Sequence, residues 1–130
     1  MLDRKVISIV DDDEFFRESM RRLVMLFGYT VESFPSAADF LESRFPSETV
    51  CLIADVHMPG MTGVELHGGV AKLGYAIPTI LVTAYPDAVV RDQALKDGVI
   101  CYLSKPVDDR ELERCLAMAL KRGASNKENS

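Results

Sequence analysis

The sequence predicts a doubly wound α/β fold in which five parallel strands carry helices on both faces. Two observations support this prediction. Short β-branched runs alternate five times with amphipathic stretches along the chain. The 130 residues fit one domain and leave little room for a second. Five βα units in so short a chain imply a parallel sheet with right-handed crossovers.

The first βα unit has a strongly patterned strand and helix. Residues 6–10 form a strand by their β-branched content, and Asp11-Asp12-Asp13 ends it. Apolar residues then recur at helical spacing from Phe16 to Phe27. Gly28 follows this stripe and predicts the end of the helix.

The second and third units carry recognisable helix starts. Residues 29–34 form a shorter and more polar strand, which we expect near a sheet edge. Ser36 has the residue type of an N-cap for the second helix. Residues 50–54 are continuously apolar, as expected of a strand buried on both faces. Thr62 and Glu65 have capping-box spacing and open the third helix.

The third helix is the weakest, because Gly68 and Gly69 lie inside it and each costs about 1 kcal/mol relative to Ala. The remaining elements are strands at 78–82 and 100–103 and helices at 89–95 and 108–119. We therefore predict one domain over residues 1–122. Residues 123–130 are small and polar, and predict a flexible C-terminal tail.

Composition narrows the class of function. Fifteen Lys and Arg against twenty Asp and Glu give a net charge of −5. Because binding to nucleic acid needs a clustered basic surface, we expect no direct contact with it. No apolar run approaches the roughly 18 residues of a membrane span, and the N-terminus lacks the apolar core of a signal peptide. The sequence predicts a cytoplasmic protein without membrane contact.

Polar residues that could bind a ligand or take part in a reaction lie where the predicted strands end. Asp11 and Asp12 follow the first strand, Asp55 the third, Thr83 the fourth and Lys105 the fifth. Parallel strands bring these ends to one edge of the sheet, where doubly wound folds bind ligands. Three carboxylates gathered there would repel one another unless a cation neutralised them. Mg²⁺ is suited to the position because it takes oxygen ligands and joins carboxylates to phosphate.

The other two residues at this edge point to phosphate chemistry. Lys105 supplies a point charge suited to phosphate, and Thr83 supplies a hydroxyl donor. An Asp carboxylate can itself act as a nucleophile and form an aspartyl phosphate. Each residue alone has an ordinary structural explanation, but their coincidence predicts Mg²⁺-assisted phosphoryl transfer to a carboxylate.

These residues fall in motifs that resemble the response-regulator receiver domain of two-component signalling. In chain order, the matching segments are Asp11-Asp12, Asp55-Val56-His57-Met58-Pro59-Gly60-Met61-Thr62-Gly63, Thr83-Ala84 and Lys105-Pro106. The resemblance spans about residues 4–122. It implies a flavodoxin-like or CheY-like fold with strand order 2-1-3-4-5, and a cis Lys105-Pro106 bond.

The resemblance also implies roles at the acidic site. Asp55 is the phosphoacceptor in this interpretation. Asp11, Asp12 and the Asp55 carboxylate would hold Mg²⁺, and the backbone carbonyl of His57 would complete the protein ligands. Such a domain is a signalling receiver rather than an enzyme, since it supports only its own phosphoryl transfer and autodephosphorylation.

A switch and a set of partners are implied as well. Thr83 and Lys105 would hold the phosphoryl group, and Tyr102 matches the aromatic switch position. Movement of Thr83 would leave space for Tyr102 and change the surface of the fourth helix, fifth strand and fifth helix. The implied partners are a sensor histidine kinase and either an output domain or a partner protein. A second copy of the receiver is one such partner.

The subtype is indicated by three segments that look similar to receivers preceding LuxR-type DNA-binding domains. They are Asp11 to Glu14, Gly28-Tyr29 and Ser36 to Leu41. The similarity implies a role in transcriptional regulation. Whether the chain acts alone or belongs to a longer regulator stays open at this stage.

Two other interpretations remain open from the sequence. Asp11-Asp12-Asp13 also contains the D-x-D start of a haloacid-dehalogenase-type phosphatase motif, with Asp11 as nucleophile. The short chain and the lack of a later acidic pair argue against it. The other interpretation is a receiver-like interaction module that takes no phosphate. The phosphorylated residue separates the three: Asp55, Asp11 or neither.

Overall fold

The computed structural model describes residues 5–128, with side chains as far as residue 123. Its five strands form a parallel sheet in the order β2-β1-β3-β4-β5, as predicted. The strands are β1 (Val6–Val10), β2 (Val31–Phe34), β3 (Thr49–Asp55), β4 (Thr79–Thr83) and β5 (Cys101–Ser104). Because all five run the same way, their carboxyl ends share one edge of the sheet.

A helix follows each strand, which confirms the predicted five βα units. The helices are α1 (Glu14–Leu26), α2 (Ala37–Glu42), α3 (Gly63–Lys72), α4 (Ala88–Lys96) and α5 (Asp109–Glu128). A short 3₁₀ helix, Phe45–Glu48, precedes β3. Helix α3 forms over ten residues even though Gly68 and Gly69 lie inside it.

Local capping explains where the helices begin and end. Asp13 is the N-cap of α1 and accepts hydrogen bonds from the backbone of Phe15 and Phe16. Both bonds of the predicted capping box between Thr62 and Glu65 are present at the start of α3. After α1, Gly28 has a φ of 99°, a left-handed conformation that glycine adopts at little cost.

The sheet separates two apolar layers, one between the sheet and helices α1 and α5, the other between the sheet and helices α2, α3 and α4. Every residue of β1 is buried, as are six of the seven residues of β3. Polar side chains inside the sheet are paired, as shown by the 2.7 Å hydrogen bond between the Ser8 and Thr49 hydroxyls. Burial on both faces holds the strand ends rigidly, which suits a site that needs fixed geometry.

The C-terminal prediction needs a correction. Helix α5 continues to Glu128, so residues 123–128 are helical and do not form the predicted tail. Residues 129–130 lie outside the described part of the chain. A glycine costs about 1 kcal/mol in a helix, and with no proline after Gly123 this penalty does not stop a helix already formed. Within residues 5–128, none of the helices combines the length and the apolar content that a membrane span requires.

Candidate functional site

The residues predicted from the strand ends meet at the carboxyl edge of the sheet. Asp11 directly follows β1, Asp55 ends β3 and Thr83 ends β4. Lys105 follows β5 and is held to β4 by a 2.8 Å hydrogen bond from its backbone N–H to the Thr83 carbonyl. Its side chain reaches back across the edge, where Nζ lies 3.0 Å from Asp11 Oδ2 and 3.3 Å from Asp55 Oδ2.

Three carboxylates form a cluster beside this lysine. Asp11, Asp12 and Asp55 each contribute an oxygen, and these oxygens all lie within 4.8 Å of one another. Asp11 and Asp55 are buried, whereas Asp12 is exposed. Two buried carboxylates and one exposed carboxylate suit a hard divalent cation that keeps part of its water shell, as Mg²⁺ does.

Asp11 carries the strongest sign that this cluster suits a cation. Burial raises the pKa of its carboxyl group, and the neighbouring Asp55 adds to this, while the Asp13 N–H and Lys105 oppose it. Asp11 Oδ1 accepts the 2.8 Å bond from Asp13. Asp11 Oδ2 is buried without a hydrogen bond of suitable geometry, so the 3.0 Å contact with Lys105 is an ion pair only. A buried carboxylate oxygen in this state has room in its coordination for a metal ion.

Asp55 is held in place from two sides. Its Oδ1 accepts a hydrogen bond of 3.2 Å from the backbone N–H of His57, and its Oδ2 accepts one of 3.3 Å from Lys105. The residue is 6% exposed, so the carboxylate lies at the bottom of the site. The His57 side chain is exposed, and its ring contacts Tyr85 at a centroid distance of 5.7 Å. The carbonyl role of His57 stays a prediction.

Lys105 is positively charged and has several partners. Burial alone would lower the pKa of its ammonium group, but the carboxylates of Asp11 and Asp55 outweigh burial and raise it. The ammonium also lies over the ring of Phe16, 4.1 Å from the ring centroid. The cis Lys105-Pro106 bond implied by the resemblance is present.

Thr83 and Tyr102 both contact the loop that leads into α4. The buried Thr83 hydroxyl accepts a 3.0 Å hydrogen bond from the Tyr85 N–H. The hydroxyl of the half-buried Tyr102 accepts a 3.2 Å bond from the Asp87 N–H. Asp87 is in turn the N-cap of α4, with bonds from Val89 and Val90. The two predicted switch residues are thus attached to opposite ends of one short loop.

Three contributors to the site escaped the sequence analysis. Arg17 Nη1 donates a 2.7 Å hydrogen bond to the Asp11 carbonyl, which fixes the end of β1. Phe16 belongs to the predicted apolar stripe of α1, and its ring also contacts Lys105. Gly63 lies against the Asp55 backbone so closely that a side chain has no space there. Of these three residues, only Gly63 belongs to one of the segments that resemble a receiver domain. Its position along the chain could not show that it lies against the Asp55 backbone.

Comparison with known proteins agrees with the geometry. The family described as response regulator receiver domain matches residues 7–117. Nodulation protein W of Bradyrhizobium diazoefficiens is 34% identical over 125 residues, which cover 96% of this chain and 55% of that protein. Response regulator protein TodT of Pseudomonas putida is 36% identical over 131 residues, covering 100% of this chain and 58% of that protein.

Solved structures give the same result. The response regulator StyR is 34% identical, with a TM-score of 0.88, covering 97% of this chain and 64% of that chain. The FixJ-N structure is 31% identical, with a TM-score of 0.80, covering 93% and 96%. The chain spans somewhat more than half the length of the curated relatives above. With both its fold and its acidic edge accounted for, this chain belongs to the response regulator receiver domain family.

Proposed function

We propose that this receiver accepts a phosphoryl group on Asp55 from a sensor histidine kinase. The observation that carries the proposal is the Lys105 ammonium, which lies within 3.3 Å of both Asp11 and Asp55 in a pocket of three carboxylates. Such a group binds a phosphoryl oxygen as it arrives at Asp55. Receivers of two-component response regulators act in signalling, which agrees with this assignment.

The transfer would form one bond and break another. An Asp55 carboxylate oxygen attacks phosphorus, and the N–P bond of the kinase phosphohistidine breaks while the new O–P bond forms. The leaving imidazole takes a proton from solvent. Lys105 stabilises the charge on the phosphoryl oxygens, and the Thr83 hydroxyl donates a hydrogen bond to one of them.

Receivers of this family normally bind Mg²⁺ at an acidic pocket. Here Asp11, Asp12, Asp55 and the backbone carbonyl of His57 would hold the ion. When bound, Mg²⁺ supplies positive charge that neutralises phosphoryl oxygens. Asp11 Oδ2 supports this assignment, because this buried carboxylate oxygen has an ion pair with Lys105 and no hydrogen bond, and burial of such an oxygen is costly without further neutralisation.

The phosphatase alternative, with Asp11 as nucleophile, is not supported. The chain matches the receiver family over residues 7–117.

The kinase must cover the rim of the pocket to bring its histidine to Asp55. A groove of about 490 Å³ borders this rim, between α1 and the segment that follows Lys105. It is mostly apolar, and Phe15 on its edge is 87% exposed. We assign the groove to the kinase. Replacing Phe15 with Ser should slow transfer from a phosphorylated kinase domain and leave transfer from acetyl phosphate unchanged.

Output would pass through the loop between β4 and α4. When the Thr83 hydroxyl turns to the phosphoryl group, Tyr85 loses its hydrogen bond, and the Tyr102 contact with Asp87 becomes free to rearrange. The surface of α4, β5 and α5 would then change towards an output domain, a partner or a second copy. Transcriptional regulation is the proposed output, because the relatives include transcriptional regulatory protein FixJ. A cytoplasmic location is part of the same proposal.

Intact mass tests the proposal. In Mg²⁺ and acetyl phosphate, the wild-type chain should gain the mass of one phosphoryl group, and Asp55→Asn should gain none. Asp13→Asn is the matched control, because it changes a nearby exposed carboxylate outside the cluster and keeps an N-cap residue. An Asp55→Asn variant that labels like wild type would refute the proposal. No labelling of any variant would favour the interaction module.

A further inference from the structure

We propose that Phe16 is a positioning residue for Lys105, and that the face of its ring holds the ammonium group beside Asp55. The inference rests on the proposed function, since it concerns how Lys105 serves phosphoryl transfer. Lys105 Nζ lies 4.1 Å from the centroid of the Phe16 ring, well within the distance of a cation–π contact. The Lys105 side chain is 15% exposed, and such contacts are stronger where water is excluded.

The ring does something for Lys105 that the carboxylates cannot. Asp11 and Asp55 attract the ammonium only while their charge is available. A divalent ion bound to the same carboxylates takes up that charge, which weakens their hold on the lysine. The quadrupole of the Phe16 ring is not neutralised in this way. The ring therefore keeps the flexible lysine side chain at the pocket at the stage when the phosphoryl group arrives.

The backbone places this ring firmly. The Phe16 N–H donates a 3.3 Å hydrogen bond to Asp13, the N-cap of α1. The next residue, Arg17, is bonded to the Asp11 carbonyl at 2.7 Å. The first turn of α1 is thereby attached to the end of β1 on both sides of Phe16, and the ring is only partly exposed. Its distance to the pocket is set by the same turn that positions the carboxylates.

Fluorinated phenylalanines at position 16 test the inference. Added fluorine withdraws electron density from the ring face and weakens cation–π attraction, while ring shape is nearly kept. The rate of labelling by acetyl phosphate should fall with each added fluorine. With three fluorines it should be about a third to a fifth of the wild-type rate. Phe27, at the C-cap of the same helix α1, lies at the end away from the pocket and provides the control: the same substitutions there should leave the labelling rate unchanged.

A second measurement reports the contact without phosphate. In wild type, the ring current of Phe16 should shift the Lys105 ε-proton NMR signals upfield, and Phe16→Leu should abolish this shift and slow labelling. A rate that is insensitive to fluorine at position 16 would overturn the inference, because packing alone would then explain the leucine variant. That result leaves labelling of wild type on Asp55 intact. Wild type without any labelling would refute the proposed function, and the role of Phe16 with it.

Discussion

Gly63 lies where α3 approaches the backbone of Asp55, and Gly63→Ala is the perturbation that tests this contact. A Cβ atom added there would lie 2.3 Å from the Asp55 carbonyl oxygen and 2.9 Å from its carbon. It would also meet Leu81 Cδ2 at 3.2 Å. The first two obstacles are backbone atoms, so no change of rotamer can relieve them.

The size of the effect follows from these distances. Protein Cβ atoms essentially never approach a heavy atom from elsewhere in the chain more closely than 3.0 Å, so α3 or the Asp55 backbone must move by at least about 0.7 Å. Overpacking of this kind costs about 1–3 kcal/mol of unfolding free energy. A displacement near 1 Å at a reacting group can cost roughly 100-fold in rate. We expect labelling of Asp55 to slow by about 10- to 100-fold.

Urea unfolding and acetyl phosphate labelling measure both effects. Gly68→Ala is the control, since it lies in the same helix with no heavy atom within 4 Å of its added Cβ. It should raise the unfolding free energy by about 1 kcal/mol, because alanine is the better helix former, and leave labelling unchanged. If Gly63→Ala were as stable and as rapidly labelled as wild type, the close approach of α3 to Asp55 would be wrong.

Three further predictions concern the metal, the switch and pH. Asp12→Ala should lower Mg²⁺ affinity in an NMR titration by roughly tenfold or more. Asp13→Ala should bind Mg²⁺ normally, and it should lose about 1 kcal/mol of unfolding free energy because the helix cap is removed. Equal Mg²⁺ affinity of the two variants would argue against the carboxylate cluster as the metal site. Tyr102→Phe should cost about 1 kcal/mol and speed amide exchange at Asp87, whose N–H loses its acceptor; unchanged exchange would contradict this. Burial lowers the pKa of His67 from its ordinary 6.5, so the unfolded chain binds the proton more readily. Stability should therefore fall as pH drops below about 6.5, less steeply in His67→Gln, and equal slopes would disprove it.

The fold was predictable because local signals and global topology agree. The continuous apolar run of β3 indicated a strand buried on both faces, and six of its seven residues are buried. The spacing of Thr62 and Glu65 alone predicted the start of α3, and both hydrogen bonds of the capping box form. Once the strands were parallel, topology brought Asp11, Asp55 and Lys105 to one edge. The meeting of these residues followed from the order of elements, without knowledge of any distance.

What the sequence did not predict depends on contacts between distant segments. The Tyr102 hydroxyl reaches Asp87, fifteen residues away, because β5 and the loop after β4 lie side by side. The ring of Phe16 reads as core from periodicity, and only the path of Lys105 across the edge shows its second role. Residues 123–128 read as a tail by composition, although helix α5 continues through them. Composition indicates only the helix propensity of these residues, and a helix that is already formed can extend through residues of low propensity.

The identity of the phosphorylated residue tests the central claim most directly. After labelling in Mg²⁺ and acetyl phosphate, borohydride reduces an aspartyl phosphate to homoserine, and peptide mass spectrometry locates that residue in the chain. We predict homoserine at position 55 alone, with labelling strongly reduced in a Lys105→Ala variant because the charge that binds the phosphoryl oxygen is gone. Homoserine at position 11, or an unlabelled position 55 in a protein that gains phosphoryl mass, would contradict the account.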